Sequence, residues 1–294
     1  MPSILFLVNG NTPAHNDNHL RLPRAFAGLG WRTVTANHED VCCDSRRVFA
    51  GRQDAARFDL IWLLGFGRRE SFYDRMQLLR QLDQRRFVNP VDAYTYLHGK
   101  LPAADSLAGH LPETHAAASP AYLLDCLDDQ SAWVLKPSGA SFGRDVSLVR
   151  DDGNGRRAIR RLVERDGFAV LQRYVSDIEN GEVRCLLAGG EVIGCYKRLP
   201  PRGDIRANLA TGARAEPHSL SASERALADK VGAWLASSRT GFAAADLAGD
   251  RLIEINVANP GGLSTLDSLT GIDPAPRVAE TIANRPTHRA SLES

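Results

Sequence analysis

The stretch GFAAADLAGDRLIEINVANPGG, residues 241–262, contains two apolar runs, 242–247 and 252–257, on either side of a turn signal. Two such runs are typical of antiparallel strands joined as a hairpin. A three-residue loop, Gly249-Asp250-Arg251, would place Asp246 directly opposite Glu254, and residues paired in this way have Cβ atoms about 5 Å apart. The stretch therefore predicts a hairpin that brings two carboxylates together on one face of a sheet.

Glu254 and Asn256 are two residues apart on the second strand, so their side chains point to the same face. With Asp246 they form a set of two carboxylates and an amide oxygen, which suits Mg²⁺, an ion that takes one or two carboxylates plus substrate phosphates and water. A solvated polar face is the alternative interpretation. Glu254 lies between isoleucines in LIEIN, however, where a buried carboxylate needs a partner and a cation can supply it.

A second hairpin is predicted upstream of this one. Residues 183–188 and 191–199 flank Gly189-Gly190, a short hairpin signal. Between the two hairpins, Ser221-x-x-Glu224 is typical of a capping box that begins a helix. The helix then presents apolar residues at helical spacing, namely Leu227, Val231, Trp234 and Leu235. The carboxyl-terminal part is therefore expected to be an antiparallel sheet backed by a helix.

The middle of the chain combines a lysine with a loop of small residues. Residues 132–137 predict a strand, and the Gly/Ser loop Ser138 to Gly143 follows it directly after Lys136. Backbone N–H groups of such a loop can approach phosphate oxygens closely, although an ordinary turn is the alternative. Ile159, Leu162 and Val163 show helical spacing, and residues 169–174 predict another strand.

The amino-terminal residues predict a small α/β domain with a mainly parallel sheet. Its strands are expected at 3–8, 32–36 and 60–64, with a helix ending near Gly30. Ligands usually bind where such strands end. Residues 101–118 are rich in Ala, Pro, His and Ser and are expected to form a connection rather than a packed element.

Composition excludes several classes of protein. The chain has 294 residues, 43% apolar and 24% charged, with a net charge of +1. These values exclude wholesale disorder and give no electrostatic case for nucleic acid or an anionic membrane as the main partner. No stretch approaches the roughly 20 apolar residues of a membrane span, and the short run Ile4 to Val8 is typical of a strand rather than a signal peptide.

The cysteines and lysines carry further information. Five cysteines without a CxxC pattern predict reduced thiols, and hence a cytoplasmic protein. Only four of the 36 basic residues are lysines, and two of these, Lys100 and Lys136, flank the middle segment. A lysine retained in a chain that otherwise uses arginine can mark a place where a compact ammonium is needed.

An arginine-rich segment begins in the hairpin at 183–199 and continues past it. Arg184, Arg198, Arg206 and Arg214, with Asn208, could clamp carboxylates or phosphates through their guanidinium groups, and solvated surface arginines are the alternative. His15 and His19 have the spacing of helical zinc ligands. They lack the glutamate of HExxH, so we expect surface or substrate-loop histidines.

Taken in order, the runs QRYVSDIENGEVRCLLAGGEVIGCYKRLPPRGDIRANLATGARAEP, GFAAADLAGDRLIEINVANPGG and TGID resemble the bacterial glutathione synthetases of the ATP-grasp superfamily. The resemblance is close over residues 136–272 and weaker over 87–100. It implies an ATP-grasp fold of mixed α/β class, with ATP held between the last two of three parts. These are an amino-terminal domain at 1–97, a central lid subdomain at 98–174 and a catalytic subdomain at 175–284, before a flexible tail at 285–294.

The resemblance also implies roles for individual residues. ATP would be bound by Lys100, Lys136, Ser138, Gly139, Ser141, Gly143, Gln172, Arg173, Tyr174, Val175 and Glu182. Asp246, Glu254 and Asn256 would hold two Mg²⁺ ions, which Mn²⁺ could replace. Arg198, Lys136 and Arg206 would serve catalysis. The substrates would be bound by Arg184, Arg198, Arg206, Asn208, Asn259, Gly261, Asn9 and Asn11.

The sequence departs from this family where substrates are expected. The family's Arg-x-Asp-Pro-Pro-x-Asp segment is replaced by residues 65–72, GFGRRESF, and its Thr-Ser-Pro-Thr by residues 258–261, ANPG. Its double glycine is replaced by residues 211–214, TGAR. We therefore expect an ATP-dependent ligase that joins an amino-acid or small-peptide carboxylate to an amino-acid amine. Its substrates need not be γ-glutamylcysteine and glycine, and a dedicated dipeptide ligase, of γ-glutamyl or another type, fits this pattern.

Three alternatives remain open at this point. They are a true glutathione synthetase, a ligase that adds amino acids to a protein tail, and a non-catalytic ATP-binding module. The expected partners are small molecules, with neither nucleic acid nor membrane. The family resemblance also implies a homo-oligomer.

Overall fold

The structure is a computed structural model that describes residues 1–10, 16–98, 105–138 and 145–285. Several residues singled out above lie outside this part of the chain: Asn11, His15, Lys100, Gly139, Ser141 and Gly143. Within the described part, no helix is both long enough and apolar enough to cross a membrane.

The amino-terminal part is a small parallel sheet flanked by helices, as predicted. Its elements are β1 (Ser3–Val8), α1 (Asn18–Gly28), β2 (Arg32–Asn37), β3 (Val41–Cys43), β4 (Val48–Ala50), β5 (Gln53–Asp54), β6 (Leu60–Leu64) and α2 (Phe72–Arg80). The parallel order is β2-β1-β6. The small antiparallel sheet of β3, β4 and β5 was not predicted, because strands of two or three residues leave no periodic pattern.

The central part is a four-stranded antiparallel sheet with two helices on one face. It consists of β7 (Thr114–Ala117), α3 (Pro120–Asp125), β8 (Trp133–Pro137), β9 (Ser147–Val149), α4 (Gly153–Asp166) and β10 (Ala169–Arg173). The strand order is β7-β10-β8-β9. The expectation of a mere connection at 101–118 was wrong, because β7 pairs with β10 along its whole length and closes this edge of the sheet.

The carboxyl-terminal part is a five-stranded antiparallel sheet, as predicted. Its elements are β11 (Glu182–Ala188), β12 (Glu191–Leu199), β13 (Arg214–Pro217), α5 (Ala222–Ser237), β14 (Phe242–Ala248), β15 (Arg251–Asn256), α6 (Leu263–Thr270) and α7 (Ala275–Ala283). The strand order is β13-β12-β11-β14-β15. Both predicted hairpins are present, and the capping box of Ser221 and Glu224 begins α5.

The hairpin of β14 and β15 reaches the predicted register by a different route. Its turn has two residues, Gly249 and Asp250, since Arg251 already pairs with Ala248. A bulge next to Asp246 then restores the pairing of Asp246 with Glu254. The predicted three-residue loop was therefore wrong, although the two carboxylates are opposite each other as expected.

The carboxyl-terminal sheet is covered on both faces. Leu227, Val231 and Leu235 of α5 pack on one face, while Trp62 of β6 meets Phe242 on the other at a ring distance of 5.5 Å. Asn89, fully buried, accepts hydrogen bonds from Gly241 and Phe242 N–H and donates to the Phe242 carbonyl. These contacts dock the amino-terminal domain on the sheet and set where its loops lie.

The start of the predicted flexible tail is fastened to the domain. Arg285 donates hydrogen bonds to the carbonyl oxygens of Val88 and Arg239, at 3.1 and 3.0 Å. The expectation of a frayed tail beginning at Arg285 was therefore wrong for this residue. Residues 286–294 lie outside the described part, and the subdomain boundaries stay a prediction.

Candidate active site

The three parts of the chain meet at a cavity of about 500 Å³. Most of the predicted site residues that the structure describes line this one cavity: Asn9, Lys136, Gln172, Arg173, Tyr174, Val175, Glu182, Arg184, Arg198, Arg206, Asn208, Glu254, Asn256, Asn259 and Gly261. Asp246 is buried behind the lining. Ser138 is exposed and does not contribute to the lining.

A network of charged side chains forms the floor of the cavity. Strand pairing places Arg184 beside Asp246 and Asp246 beside Glu254. Arg184 binds the Asp246 carboxylate with two hydrogen bonds, from Nε at 2.8 Å and Nη2 at 2.7 Å. Arg198 adds an ion pair at 3.0 Å and also contacts Glu182. Two guanidinium groups thus share two carboxylates, while Glu254 adds a further negative charge at the cavity surface.

The buried Asp246 is held in its ionised form. Burial by itself would raise the pKa of Asp246, but the adjacent charges of Arg184 and Arg198 outweigh burial and lower that pKa to about 2. Burial by itself would lower the pKa of Arg184. The adjacent Asp246 carboxylate outweighs this effect of burial, so the pKa of Arg184 is raised. Both groups therefore stay charged across the physiological pH range.

The donor set fits a magnesium ion. Asn256 donates from Nδ2 to Asp246 at 3.1 Å, so the amide is oriented next to both carboxylates. Glu254 and Asn256 line the cavity, with Asp246 directly behind them. The described residues contain no group of three His, Cys, Asp or Glu side chains placed to hold a metal. Two carboxylates and one amide instead match an ion that takes its remaining ligands from phosphates and water.

Lys136 and Gln172 face the cavity from the central sheet. They lie on neighbouring strands, β8 and β10, and both are buried. The Lys136 ammonium donates to Gln172 Oε1 at 2.6 Å, and Gln172 Nε2 donates to Thr114 Oγ1 at 3.0 Å. Thr114 belongs to β7, so the strand that sequence reasoning missed helps to orient the buried lysine. Lys136 thereby lines the same cavity as Glu182, Arg184, Arg198 and Glu254 of the charged floor.

Apolar residues of the central and carboxyl-terminal parts also line the cavity, and we call the region that they form the apolar slot. They are Val134, Val146, Val175, Ile178 and Ile253, and Ile178 and Ile253 pack together. A slot of this kind suits a flat ring such as a nucleotide base. Of these residues only Val175 was singled out from the sequence. The others carry no polar group whose spacing could have indicated a site.

Two of the predicted nucleotide residues have other contacts. Arg173 borders the cavity, but its guanidinium pairs with Glu113 at 2.6 Å and lies 4.5 Å over the Trp133 ring. The Tyr174 hydroxyl donates to Glu179, and burial together with this hydrogen bond raises the pKa of Tyr174 to about 12. The tyrosine therefore stays neutral.

The arginine-rich segment is only partly at the site. Arg206 lines the cavity while pairing with Asp204 through Nη2 at 2.7 Å. Arg214 is 73% exposed and pairs with Glu216 at 2.5 Å. The expectation that Arg214 joins the cluster was wrong, because β13 lies at the sheet edge and turns this side chain to solvent.

Loops of the amino-terminal domain close the cavity on the remaining side. Gly67 N–H donates to Asn9 Oδ1 at 3.0 Å, and a Cβ on Gly65 would lie 2.6 Å from the same oxygen. Only glycine fits there, and its φ of +131° is also one that favours glycine. Arg75 holds the loop from below through the carbonyl oxygens of Phe66 and Arg68, at 2.6 and 2.7 Å.

The loop after β15 is tied to the start of α1. Asn16 donates to the Asn259 carbonyl at 2.9 Å, and Asn18 donates to Asn259 Oδ1 at 2.8 Å. Asn259 has a φ of +58°, which asparagine tolerates better than most residues. Of the residues that line this side of the cavity, sequence reasoning missed Asn16, His98 and Tyr196, and it noted Phe66 only as part of the segment 65–72 that departs from the family pattern. The only sequence signal for these residues was the rule that ligands bind near the carboxyl ends of parallel strands, here β1 and β6.

Comparisons with known proteins agree with this geometry. Residues 100–271 match the sequence profile of the prokaryotic glutathione synthetase ATP-grasp domain. A glutathione synthetase of Parasynechococcus marenigrum is 31% identical over 223 residues, covering 74% of this chain and 72% of the relative. That of Coxiella burnetii is 33% identical over 165 residues, covering 55% of this chain and 51% of the relative. The chain thus spans about half the length of this second relative.

A similar fold occurs in a solved structure. The crystal structure of D-cycloserine synthetase DcsG superposes with a TM-score of 0.72 at 19% identity, over 96% of this chain and 99% of the other. Fold and family profile together define an ATP-grasp ligase, a class that forms C–N bonds with ATP and Mg²⁺. More particularly, the chain belongs to the prokaryotic glutathione synthetase family.

Proposed function

We propose that this protein phosphorylates the carboxylate of an amino acid or small peptide and couples it to the amine of an amino acid. The observation that carries the proposal is that Lys136, from the central sheet, and the Glu254–Asn256 pair, from the carboxyl-terminal sheet, line one cavity. A nucleotide in the apolar slot would direct its phosphates between Lys136 and this pair. The Glu254–Asn256 pair lies beside Asp246 and its two arginine partners, Arg184 and Arg198.

The chemistry requires such a site. A carboxylate is a poor electrophile, so an amide does not form from it directly at neutral pH. Transfer of the γ-phosphoryl group of ATP to a carboxylate oxygen gives an acyl phosphate and ADP. The amine then attacks the carbonyl carbon, the carbon–oxygen bond to phosphate breaks, and the amine gives up a proton. Catalysis of this kind depends mainly on positioning and charge neutralisation.

The chain's own residues supply these functions. Asp246, Glu254 and Asn256 would hold two Mg²⁺ ions, or Mn²⁺ in their place, which neutralise the phosphate charges. Lys136 binds phosphate oxygens. Arg198, fixed by Asp246 and Glu182, keeps a positive charge where the acyl phosphate forms. Residues 174–175 and 182 border the base and the ribose, and Lys100, Gly139, Ser141 and Gly143 would cover the phosphates.

The substrates are bound on the opposite side of the cavity. Asn9, Asn208, Asn259 and Gly261 line it there, with Arg184 and Arg206 placed toward substrate carboxylates. These segments contain the departures from the glutathione synthetase pattern. We therefore favour a dedicated amino-acid or dipeptide ligase, of γ-glutamyl or another type, acting in the cytoplasm as a homo-oligomer. A true glutathione synthetase is the second candidate, supported by the match over residues 100–271.

The experiment that tests the function is a screen of substrate pairs. ATP and Mg²⁺ are supplied with pairs of the twenty amino acids and with γ-glutamylcysteine plus glycine. Phosphate release is measured, and each product is identified by mass spectrometry. A product whose mass equals the two substrates less one water supports the ligase. N-acetylated amino acids are included as acids, and phosphate release that no pair of substrates stimulates contradicts the ligase function and favours an ATP-binding module.

A further inference from the structure

An aromatic wall forms part of the substrate side of the cavity. It consists of Phe66, which follows β6, and His98, and both residues line the cavity. Their rings meet edge to face with centroids 4.7 Å apart. Phe66 is backed by Phe72 at 5.5 Å and by the buried Tyr94 at 6.3 Å. The wall is thus a packed surface and not a single exposed ring.

Hydrogen bonding fixes the chemical character of His98. The backbone N–H of Val257 donates to His98 Nδ1 at 3.1 Å. In the neutral ring the proton then resides on Nε2. Protonating Nδ1 would break the bond to Val257, so this contact favours the neutral ring. Val257 directly follows Asn256, which ties the wall to the strand that carries the predicted metal ligands.

The wall carries no negative charge. Among the described residues, the only acids that line the cavity are Glu182 and Glu254, and both lie on the carboxyl-terminal sheet. Glu182 is in contact with Arg198, and Glu254 belongs to the predicted metal site. The segments 11–15, 99–104 and 139–144, which the structure does not describe, contain no aspartate or glutamate.

The amide oxygens on this side already accept hydrogen bonds. Asn9 Oδ1 accepts from Gly67 N–H at 3.0 Å, and Asn16 Oδ1 accepts from Asn18 N–H at 3.2 Å. Asn259 Oδ1 accepts from the Asn18 side chain at 2.8 Å. Each of these oxygens is thus already engaged once, and a substrate ammonium placed here would meet no carboxylate among the described residues that line the wall. Burying an ammonium without partners is costly.

We propose that the Phe66–His98 wall is a specificity-determining surface that selects an acid with an uncharged, apolar body. The chemical class is a carboxylic acid without an ammonium group near the wall, such as an N-acylated amino acid. Its carboxylate points to Arg184 and Arg198, while its body lies against the two rings. The inference rests on the proposed ligase function and adds the class of its acyl substrate.

Trapping with hydroxylamine tests this class without knowledge of the natural amine. The γ-phosphoryl group passes from ATP to the acid, and hydroxylamine nitrogen attacks the acyl carbon. Phosphate leaves, the nitrogen loses a proton to solvent, and a hydroxamate is measured. Two matched comparisons are N-acetylphenylalanine against phenylalanine, and N-glutarylcysteine against γ-glutamylcysteine, from which it differs only in lacking the ammonium group. We expect kcat/KM to be about tenfold or more higher for the acid without the ammonium in each comparison.

A pair of variants separates charge from shape. His98→Asp keeps an oxygen that can accept from Val257 N–H and adds a negative charge, whereas His98→Asn is the neutral variant of equal size. We expect only His98→Asp to shift the ratio of the two kcat/KM values in each comparison, by about tenfold in favour of the acid with an ammonium. Tyr96→Ala is the control, because Tyr96 is 72% exposed in the same segment and does not line the cavity.

The outcomes distinguish this inference from the function on which it rests. Equal or better hydroxamate formation from the ammonium-bearing acids would overturn the substrate class and leave the ligase function standing. Identical substrate ratios for His98→Asp and His98→Asn would also overturn it. If acids of neither kind yield hydroxamate or ADP, both the class and the proposed ligase function are contradicted.

Discussion

The floor and the substrate wall of the cavity are built in different ways. On the floor, Arg184, Asp246 and Glu254 lie side by side because three neighbouring strands pair in register. On the wall, Phe66 comes from a loop that Asn9 and Arg75 hold in place, and His98 is held by the N–H of Val257. Paired strands thus position the groups that handle charge, and loops position the groups that meet the substrate. Changes in these loops can therefore alter the substrate specificity without disturbing the charged floor.

The largest effect is expected on the floor, at Glu254. Glu254→Gln keeps the size of the side chain and removes a predicted metal-ligand charge. Phosphate release should fall by about 10³-fold, the scale of losing a key electrostatic contact in a transition state. The matched control is Glu280→Gln, an exposed glutamate on α7. Full activity of Glu254→Gln would refute the assignment of the metal site.

Asp246 tests the floor through stability. Asp246→Asn leaves Arg184 and Arg198 without a shared carboxylate and should destabilise the fold by about 3–5 kcal/mol near neutral pH. The pKa of Asp246 is lowered from 3.8 to about 2, so its contribution is fully present above pH 3.8 and is lost as the pH falls through about 2. Urea unfolding at several pH values measures the difference.

The pH dependence provides the check on that prediction. The gap in unfolding free energy between the wild type and Asp246→Asn should shrink as the pH falls from about 4 toward 2. A gap that is constant over this range would mean that ionisation of Asp246 does not contribute to stability.

Lys136 tests the contribution of the central sheet to nucleotide binding. Lys136→Ala should raise the KM for ATP and lower kcat/KM by about hundredfold, since one charged contact to phosphate is lost. Lys230→Ala is the control, because Lys230 is exposed on α5 and contacts the exposed His110. If both variants bind ATP as well as the wild type does, Lys136 has no role in nucleotide binding.

The smallest effect is expected on the substrate wall. Phe66→Leu keeps an apolar side chain and should lower kcat/KM for the acid only a few-fold, a cost of about 1 kcal/mol. The KM for ATP should stay unchanged, because Phe66 belongs to the amino-terminal domain, whereas the residues of the apolar slot belong to the other two parts of the chain. If Phe66→Leu also weakened ATP binding, the substrate wall and the nucleotide site would not act independently, which would contradict the geometry.

Local pattern was enough to predict the floor. Two apolar runs on either side of a turn predicted the hairpin that places Asp246 opposite Glu254, and a bulge compensated for the mistaken turn length. The two hairpins and the capping box at Ser221 were likewise visible from spacing alone. These features depend on residues close together in sequence, which is why sequence reasoning reached them.

The wall could not be predicted in the same way. Phe66 and His98 are 32 positions apart, and their contact depends on how α2 and the loops pack. Strand β7 was missed because Thr114 to Ala117 shows little apolar alternation and is defined by pairing with β10. Arg214 was misplaced because spacing does not tell whether an edge-strand side chain faces the cavity or solvent.

The central claim is that this cavity activates a carboxylate as an acyl phosphate. It is tested most directly with an acid substrate labelled with ¹⁸O in its carboxylate, by mass spectrometry of the released phosphate. Because the phosphoryl group is transferred to a carboxylate oxygen that leaves with it, we expect one ¹⁸O atom in each phosphate molecule. Phosphate without label would contradict the account, since it would mean that water and not the acid attacks ATP.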